Sequence, residues 1–343
     1  MHIVFAADQA FVRPLLVASG SAVYACRGGN EPITVHVLDC GIEEATWNDY
    51  ASRITCLAER VHVKTDLVRH VIDMKQFEGL PGWRGSKATW ARLLIPDLLP
   101  NVDQCVYSDC DMLFIANPVE MLNALKDLSV LIAGHHEPFC GAQYPDSDWC
   151  HARSLPFDAS THLCSGLLAM NLRGLRCENI ILNCLDFAMR YRDPPFPDQT
   201  TLNCICFGRK AFLPDGWGLF PRECSASDVC IKAVHIAGGC GWPFPKPSCL
   251  HHVMWLRLSR CVFKLWWNFE KRVLGFRPVV RVTPALRLRI LSEVAIFAAR
   301  LTNLFGIRIG HARVQRFVAA YSGRSTSLAT ARQALFGDID RWK

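Results

Sequence analysis

Short apolar runs alternate with longer helical ones through the first 250 residues, and this alternation restricts the fold more than any other feature of the chain. His2–Ala7, Ile33–Leu38, Gln104–Ser108, Ser129–Ala133 and Leu167–Asn171 are largely β-favouring and bounded by Asp, Gly or Pro. Between them, Val12–Cys26, Ile42–Glu59, Lys87–Leu94, Arg176–Arg192 and Gln199–Phe207 read as helices. Strands and helices in alternation predict an α/β sheet covered by helices on both faces. Ligands of such sheets sit beyond the carboxyl ends of the strands, so residues just after strands are the first candidates for function.

Three strand ends stand out. Val106-Tyr107-Ser108-Asp109-Cys110-Asp111 closes an apolar strand with two carboxylates one residue apart. In extended backbone, residues i and i+2 face the same side, so Asp109 and Asp111 can converge on one cation. Hard oxygen donors suit Mg²⁺ or Mn²⁺ better than zinc or copper, and those ions in turn neutralise a diphosphate. The competing reading is a loop with two solvated acids. At Val234-His235-Ile236-Ala237-Gly238-Gly239, His235 can complete a ligand set and Gly238 lets backbone approach a phosphate closely. A structural His before a turn is the plainer alternative. The opening strand ends at Ala6-Ala7-Asp8, where small residues leave room for a flat base. Asp8 can accept hydrogen bonds from a nucleobase or ribose, or cap the helix from Val12 onward.

Charge divides the chain. The formal net charge is +7, but residues 251–343 hold 17 Lys and Arg against four acids, so the tail carries +13 and residues 1–250 carry −6. No stretch of ~20 uninterrupted apolar residues predicts a spanning helix. The opening His2-Ile3-Val4-Phe5 reads as a buried strand rather than a secretory signal. The 17 cysteines are irregularly spaced with no Cys-x-x-Cys pair, and read as reduced, buried hydrophobes of a cytosolic protein. A zinc site from Cys240, Cys249, His251 and His252 is the rival, at a spacing that fits no familiar pattern. No Gly-x-Gly-x-x-Gly follows the first strand, which argues against a dinucleotide-dependent oxidoreductase. No nucleic-acid recognition motif accompanies the basic tail, so nucleic acid is not an expected partner.

Taken in order, Met1–Asp8, Val35-His36-Val37-Leu38-Asp39, Ala91-Arg92-Leu93, Asp109-Cys110-Asp111, Ser165–Leu172, Asp198-Gln199-Thr200-Thr201-Leu202-Asn203 and His235-Ile236-Ala237-Gly238 form a pattern. It resembles glycosyltransferase family 8, most closely the bacterial lipooligosaccharide galactosyltransferase type, over roughly residues 1–245. The resemblance implies an α/β GT-A fold and a retaining transfer of a hexose (galactose or glucose) from a UDP-sugar donor to a saccharide or glycolipid acceptor. It implies Mn²⁺ as cofactor, with Mg²⁺ as the other option. Asp109, Asp111 and His235 are the implied metal ligands, with Asp109 also touching the ribose. Ala6 and Asp8 are the implied uridine contacts, and Arg92 the residue reaching the donor sugar and phosphate. Asp198 is implied to hold donor hydroxyls, and Gln199 to lie beneath the anomeric carbon. Cys164, Ser165 and Gly238 complete the implied donor site.

Gln199 has no charge to offer as a nucleophile, so same-face substitution is expected, the leaving phosphate helping to deprotonate the acceptor hydroxyl. Four positions depart from the family. Cys164 stands where the family often has Asn, Ala10 where it has Asn, Thr200 where it has an acid, and Gly241 where it has a phosphate-binding Lys. Lys246-Pro247 follows five residues later. A charge-assisted hydrogen bond is worth ~1.5–3 kcal/mol, and its loss at position 241 motivates the alternative of a catalytically impaired, membrane-associated sugar-nucleotide-binding protein.

Two domains are expected, a catalytic one over 1–250 and a basic, largely helical extension over 251–343. Around Val253–Val273, Trp and Phe interleave with Arg and Lys as in an interfacial membrane helix. Each basic residue near an anionic leaflet contributes about 1 kcal/mol. A cytoplasmic protein attached peripherally to the inner face of the cell membrane is therefore expected. The competing reading is that the apolar face of this helix packs against protein.

Overall fold

A computed structural model describes residues 1–83, 85–136, 145–226, 229–237, 260–276, 290–298 and 326–337. The chain forms two compact units. A sheet unit comprises Met1–Met112 and Ala116–Gly218, and a second unit comprises Leu113–Ile115 and Leu219–Lys343. The domain boundary expected at residue 250 lies outside the described residues.

The sheet unit is built on seven strands: β1 (His2–Ala7), β2 (Ile33–Asp39), β3 (Thr65–Val71), β4 (Gln104–Ser108), β6 (Ile132–His136), β7 (Leu163–Asn171) and β8 (Lys210–Phe212). Across the sheet they lie in the order β3-β2-β1-β4-β7-β6-β8. Strands β3, β2, β1 and β4 run parallel, and β7 is antiparallel to both β4 and β6. Ile3, Val4 and Phe5 of β1 are all fully buried. A central parallel strand is covered on both faces, which is why β1 reads as an unbroken apolar run.

Helix α1 (Val12–Ala25) is buried from Val12 to Tyr24 apart from Arg13. It carries Ser19 and Ser21 into the interior because their hydroxyls donate to the Leu15 and Ala18 carbonyls, 2.7 and 2.8 Å away. Helix α2 (Glu44–Arg60) adds Tyr50, whose hydroxyl reaches Ser19 Oγ at 3.1 Å. At Gly134 an added Cβ would come within 3.1 Å of the Cys164 carbonyl oxygen, so the close β6–β7 approach favours glycine there.

Several elements differ from the sequence expectation, each for a local reason. The strand expected over Ser129–Ala133 begins at Ile132, because Asp127 captures the Ser129 and Val130 amides in a turn. The helix expected over Arg176–Arg192 is two helices, α5 (Leu172–Cys177) and α6 (Ile180–Arg190), separated by Asn179 in the left-handed region at φ 51°. Lys87–Leu94 is a 3₁₀ turn over Ala88–Leu94, running into the short helix α3 (Ile95–Leu98). Strand β3 was not foreseen: its sequence, Thr-Asp-Leu-Val-Arg-His-Val, lies at the sheet edge with no fully buried residue.

The 14 described cysteines are all free, and ten are buried. Burial pushes the thiols of Cys40 and Cys206 up to about 12, so they act as apolar filler. The zinc candidate Cys240, Cys249, His251 and His252 lies outside the described residues.

In the second unit, β5 (Met112–Phe114) and β9 (Ala233–His235) form a two-stranded sheet. The Ile115 amide donates to the Lys232 carbonyl at 2.8 Å. The helix Arg260–Arg272 buries Val262, Phe263, Leu265, Trp266 and Phe269 and leaves Arg260, Lys264, Trp267, Lys271 and Arg272 exposed. Its apolar face is thus packed within the protein. Among the described residues, no helix is long and apolar enough to cross a membrane.

Candidate active site

Parallel pairing brings the carboxyl ends of β1 and β4 together, with Phe5 opposite Ser108. Antiparallel pairing of β4 with β7 sets Ser108 opposite Leu167, so Ser165 and Gly166 lie just beyond the end of β4. The Asp109 amide donates to the Gly166 carbonyl at 2.7 Å, fixing the residue that follows the strand. A carboxylate oxygen of Asp109 and one of Asp111 lie within 4.8 Å of each other, brought together by a turn at Cys110–Asp111 rather than by the extended backbone expected, since β4 ends at Ser108.

Arg92 organises what surrounds them. It projects from the 3₁₀ turn and is only 2% exposed. Its Nη2 donates to Asp109 Oδ1 at 2.9 Å, and its Nη1 donates to the Ser165 carbonyl at 2.5 Å and lies 3.1 Å from Asp198 Oδ2. Nε donates to the Thr89 carbonyl at 3.0 Å, and the guanidinium carbon sits 4.3 Å above the Tyr107 ring. Burial opposes the charge, but Asp109 and Asp198 outweigh it and hold the guanidinium pKa well above its ordinary value. The Tyr107 hydroxyl donates to the same Asp109 oxygen at 2.7 Å. Burial pushes that phenol far up, so it stays a donor.

Helix α7 (Pro197–Ile205) supplies the opposite wall. Ser165 Oγ donates to Asp198 Oδ2 at 3.0 Å, and the Ser165 amide donates to Gln199 Oε1 at 3.1 Å. One turn further on, Asn203 pairs twice with Leu163: its Oδ1 accepts from the amide at 2.9 Å and its Nδ2 donates to the carbonyl at 2.8 Å. Asn203 Nδ2 also donates to the Gln199 carbonyl at 3.0 Å. The start of β7 and the first turns of α7 are thus joined by side chains.

Of the residues singled out from sequence, Arg92, Asp109, Ser165, Asp198 and Gln199 form one connected set. Arg92 is enclosed, and its guanidinium nitrogens meet the Thr89 and Ser165 carbonyls and the Asp109 and Asp198 carboxylates. Cys164 is buried beside that set, opposite His135 of β6. Ala6 is half-buried, and its carbonyl accepts from Cys110 Sγ at 3.2 Å. Asp8 caps a 3₁₀ turn, Gln9–Phe11, by accepting from the Ala10 amide at 3.0 Å, so the cap lies one turn earlier than expected. His235 belongs to the second unit, where it closes β9 and stacks on Phe220 at 4.9 Å. Gly238 and Gly241 lie outside the described residues.

Sequence reading missed Tyr107, Asp146 and His162 as members of these networks. Tyr107 carried a signal in hindsight, since it lies two residues before Asp109 on the same strand face. Asp146 sits in helix α4 (Pro145–His151).

The pattern of Glycosyl transferase family 8 matches residues 2–234. The chain belongs to this family. It has the α/β GT-A fold expected from its sequence and a C-terminal region that is helical where described. A Haemophilus influenzae protein provisionally named a glycosyltransferase is 22% identical over 228 residues, which cover 65% of this chain. The chain spans 64% of the length of that curated relative. The galactosyltransferase LgtC, solved in complex with donor and acceptor sugar analogues, superimposes with a TM-score of 0.60 at 20% identity, covering 82% of this chain and 98% of LgtC. The bifunctional glycosyltransferase WbbM gives 0.57 at 16% identity, over 70% of this chain and 46% of WbbM. At these identities the two structures bear on the fold alone.

Proposed function

We propose that this protein is a glycosyltransferase that transfers a hexose, galactose or glucose, from a UDP-sugar to a saccharide or glycolipid acceptor with retention of configuration, in lipopolysaccharide or cell-surface glycan synthesis. One observation carries the reading: the buried Arg92 ties Asp109, which follows β4, to Asp198, Ser165 and Gln199 at the carboxyl edge of the sheet. Ala6 and Asp8 at the end of β1 form the uridine side of this edge, and Cys164 borders the sugar side.

A divalent metal fits the donor set. Asp109, Asp111 and His235 each offer one ligand atom. Two hard carboxylates with one imidazole suit Mn²⁺ or Mg²⁺. Support for including His235 is that β5 starts at the residue after Asp111 and pairs with β9, which ends on His235. When bound, such an ion supplies charge stabilisation for a departing diphosphate.

Within the protein, Arg92 keeps Asp109 and Asp198 oriented, and Asp198 meets the sugar hydroxyls. Gln199 Oε1 already accepts the Ser165 amide, which makes it a still poorer nucleophile and supports same-face substitution. Trapping a covalent glycosyl adduct on Gln199 would sink that mechanism.

The decisive assay is release of UDP from UDP-glucose, UDP-galactose and UDP-N-acetylglucosamine with Mn²⁺. Slow turnover of one of the two hexose donors, abolished by Asp111→Ala, is expected. UDP binding without turnover of any donor would instead favour an impaired sugar-nucleotide-binding protein.

Peripheral attachment to the inner face of the membrane is part of the proposal. It is supported by the +13 charge of residues 251–343 and by Ile290, Leu291, Val294 and Phe297, which lie exposed at helical spacing in the helix over 290–298. Co-sedimentation with phosphatidylglycerol vesicles should fall in Val294→Asp/Phe297→Asp, and unchanged sedimentation would remove the anchor.

A further inference from the structure

We propose that Asp146 is a positioning residue for the transfer site, a buried carboxylate that holds the first turn of α7 and the entry to β7 at the spacing required by Asp198 and Gln199. The inference rests on the donor-facing roles proposed above for those two residues.

Asp146 is 1% exposed. A buried carboxylate is costly unless it is paired, and here Oδ1 is hydrogen-bonded to one element while Oδ2 stands within charge-pair distance of another. Oδ1 accepts from Thr200 Oγ1 at 2.6 Å, and Oδ2 lies 2.9 Å from His162 Nε2. Thr200 directly follows Gln199, and its hydroxyl also accepts the Phe196 amide at 3.1 Å, which fixes the entry to α7. His162 stands one residue before β7 and three before Ser165. Both partners are themselves buried, at 1% and 2%.

The two elements that Asp146 spans are the same two that Ser165 joins to Asp198 and Gln199 on the other side of α7. Asp146 is thus the outer half of a clamp whose inner half carries the reacting set. Cys150, one helical turn after Asp146, meets Cys204 of α7 with sulfurs 3.7 Å apart, so α4 lies directly on α7. Position 200, expected to hold an acid, is a Thr whose hydroxyl takes its carboxylate from α4 instead. Small misplacements of reacting groups slow a reaction by more than the strength of the broken hydrogen bond would suggest.

The test compares Asp146→Asn, Thr200→Val and Thr200→Ser in the full chain by hydrogen exchange and by Mn²⁺-dependent UDP-hexose turnover. Asp146→Asn and Thr200→Val should each speed amide exchange over 196–203 and 162–165 by about tenfold or more, leaving β1 and β2 unchanged. Each should lower kcat by roughly 10–100-fold while moving donor KM less than about threefold. Thr200→Ser should restore both readouts, and the double variant Asp146→Asn/Thr200→Val should lose no more than the worse single one. Unchanged exchange in both segments, or unchanged kcat in folded Thr200→Val, overturns the proposal. If Asp146→Asn does not fold, the Thr200 pair decides it. Absence of wild-type turnover with every UDP-hexose would refute the donor reading, and the exchange arm would still decide whether Asp146 holds the two segments.

Discussion

Two polar sets in the sheet unit are each centred on a buried residue, and they treat charge in opposite ways. At the carboxyl end of β4, Arg92 lies between Asp109 and Asp198, and these partners outweigh burial and keep it charged. Across β1, β2 and β3, the rings of His2, His36 and His70 form a ladder with ring nitrogens 3.0 Å apart at each step. Burial pushes all three imidazoles below their usual 6.5, and the neighbouring histidines help carry His36 down to about 4. Both sets are hydrogen-bonded around one buried member, Arg92 in the first and His36 in the second. What separates them is whether burial is opposed: opposite charges outweigh it and fix an ion at Arg92, whereas at the histidines burial prevails, with like neighbours adding to it at His36. Only the first arrangement sits where a ligand is expected, and only it can present fixed charge to a diphosphate sugar.

The largest effect should come from removing the cation. Arg92→Met keeps much of the volume but leaves Asp198, 7% exposed, facing Asp109 without the charge between them. Breaking a buried pair from one side costs ~3–5 kcal/mol, so the midpoint of urea unfolding should fall sharply. UDP-hexose turnover should drop by about 10³ or more, since two acids of the donor site lose their orientation. Arg92→Lys restores the charge but not the fork that reaches Asp109, Ser165 and Thr89 at once, and should recover stability better than activity. A folded Arg92→Met enzyme with near-normal turnover would break the contrast, because the set would then not depend on its cation.

The ladder sharpens it from the other side. His36 has a folded pKa of about 4 against an ordinary 6.5, so below pH 6.5 the unfolded chain binds a proton that the folded one resists. Stability is therefore complete above about pH 6.5, declines as pH falls through the interval, and levels off near pH 4. The loss is on the order of 3 kcal/mol at most from His36, and His2 and His70 act in the same direction. Urea unfolding followed from pH 7.5 to 4 should show this slope, and His36→Gln should flatten it. An equal slope in His36→Gln would mean that another group carries the acid sensitivity.

The two sets also differ in how far the sequence exposed them. On the acidic side, Asp109 was legible from its place after an apolar run, whereas Asp198 and Gln199 were singled out only through the family resemblance. Arg92 was legible only through the family resemblance, since nothing in Ala91-Arg92-Leu93 distinguishes a buried guanidinium from a solvated one. The ladder was not legible. His2, His36 and His70 are 34 residues apart along the chain, and they meet only through a register that pairs Val4 with His36 and Leu38 with His70. Strand β3, which supplies the last of them, has no apolar run because it is an edge. Asp146 was hidden for a similar reason, as a carboxylate inside a polar stretch looks solvated until its partners from two other elements are in place.

The smallest expected effect isolates the hydroxyl from the cation. Tyr107 is 1% exposed, donates to Asp109 Oδ1 at 2.7 Å, and carries the Arg92 guanidinium over its ring. Tyr107→Phe keeps the ring and the cation above it and removes one donor from an oxygen that Arg92 also serves. A hydrogen bond to a charged group contributes ~1.5–3 kcal/mol, and the remaining Arg92 contact should hold the loss to the lower end. Turnover should then fall by roughly tenfold, with urea stability down by about 1.5 kcal/mol. If Tyr107→Phe instead costs as much as Arg92→Met, Asp109 is oriented by the hydroxyl, and charge pairing is not what distinguishes this set from the ladder.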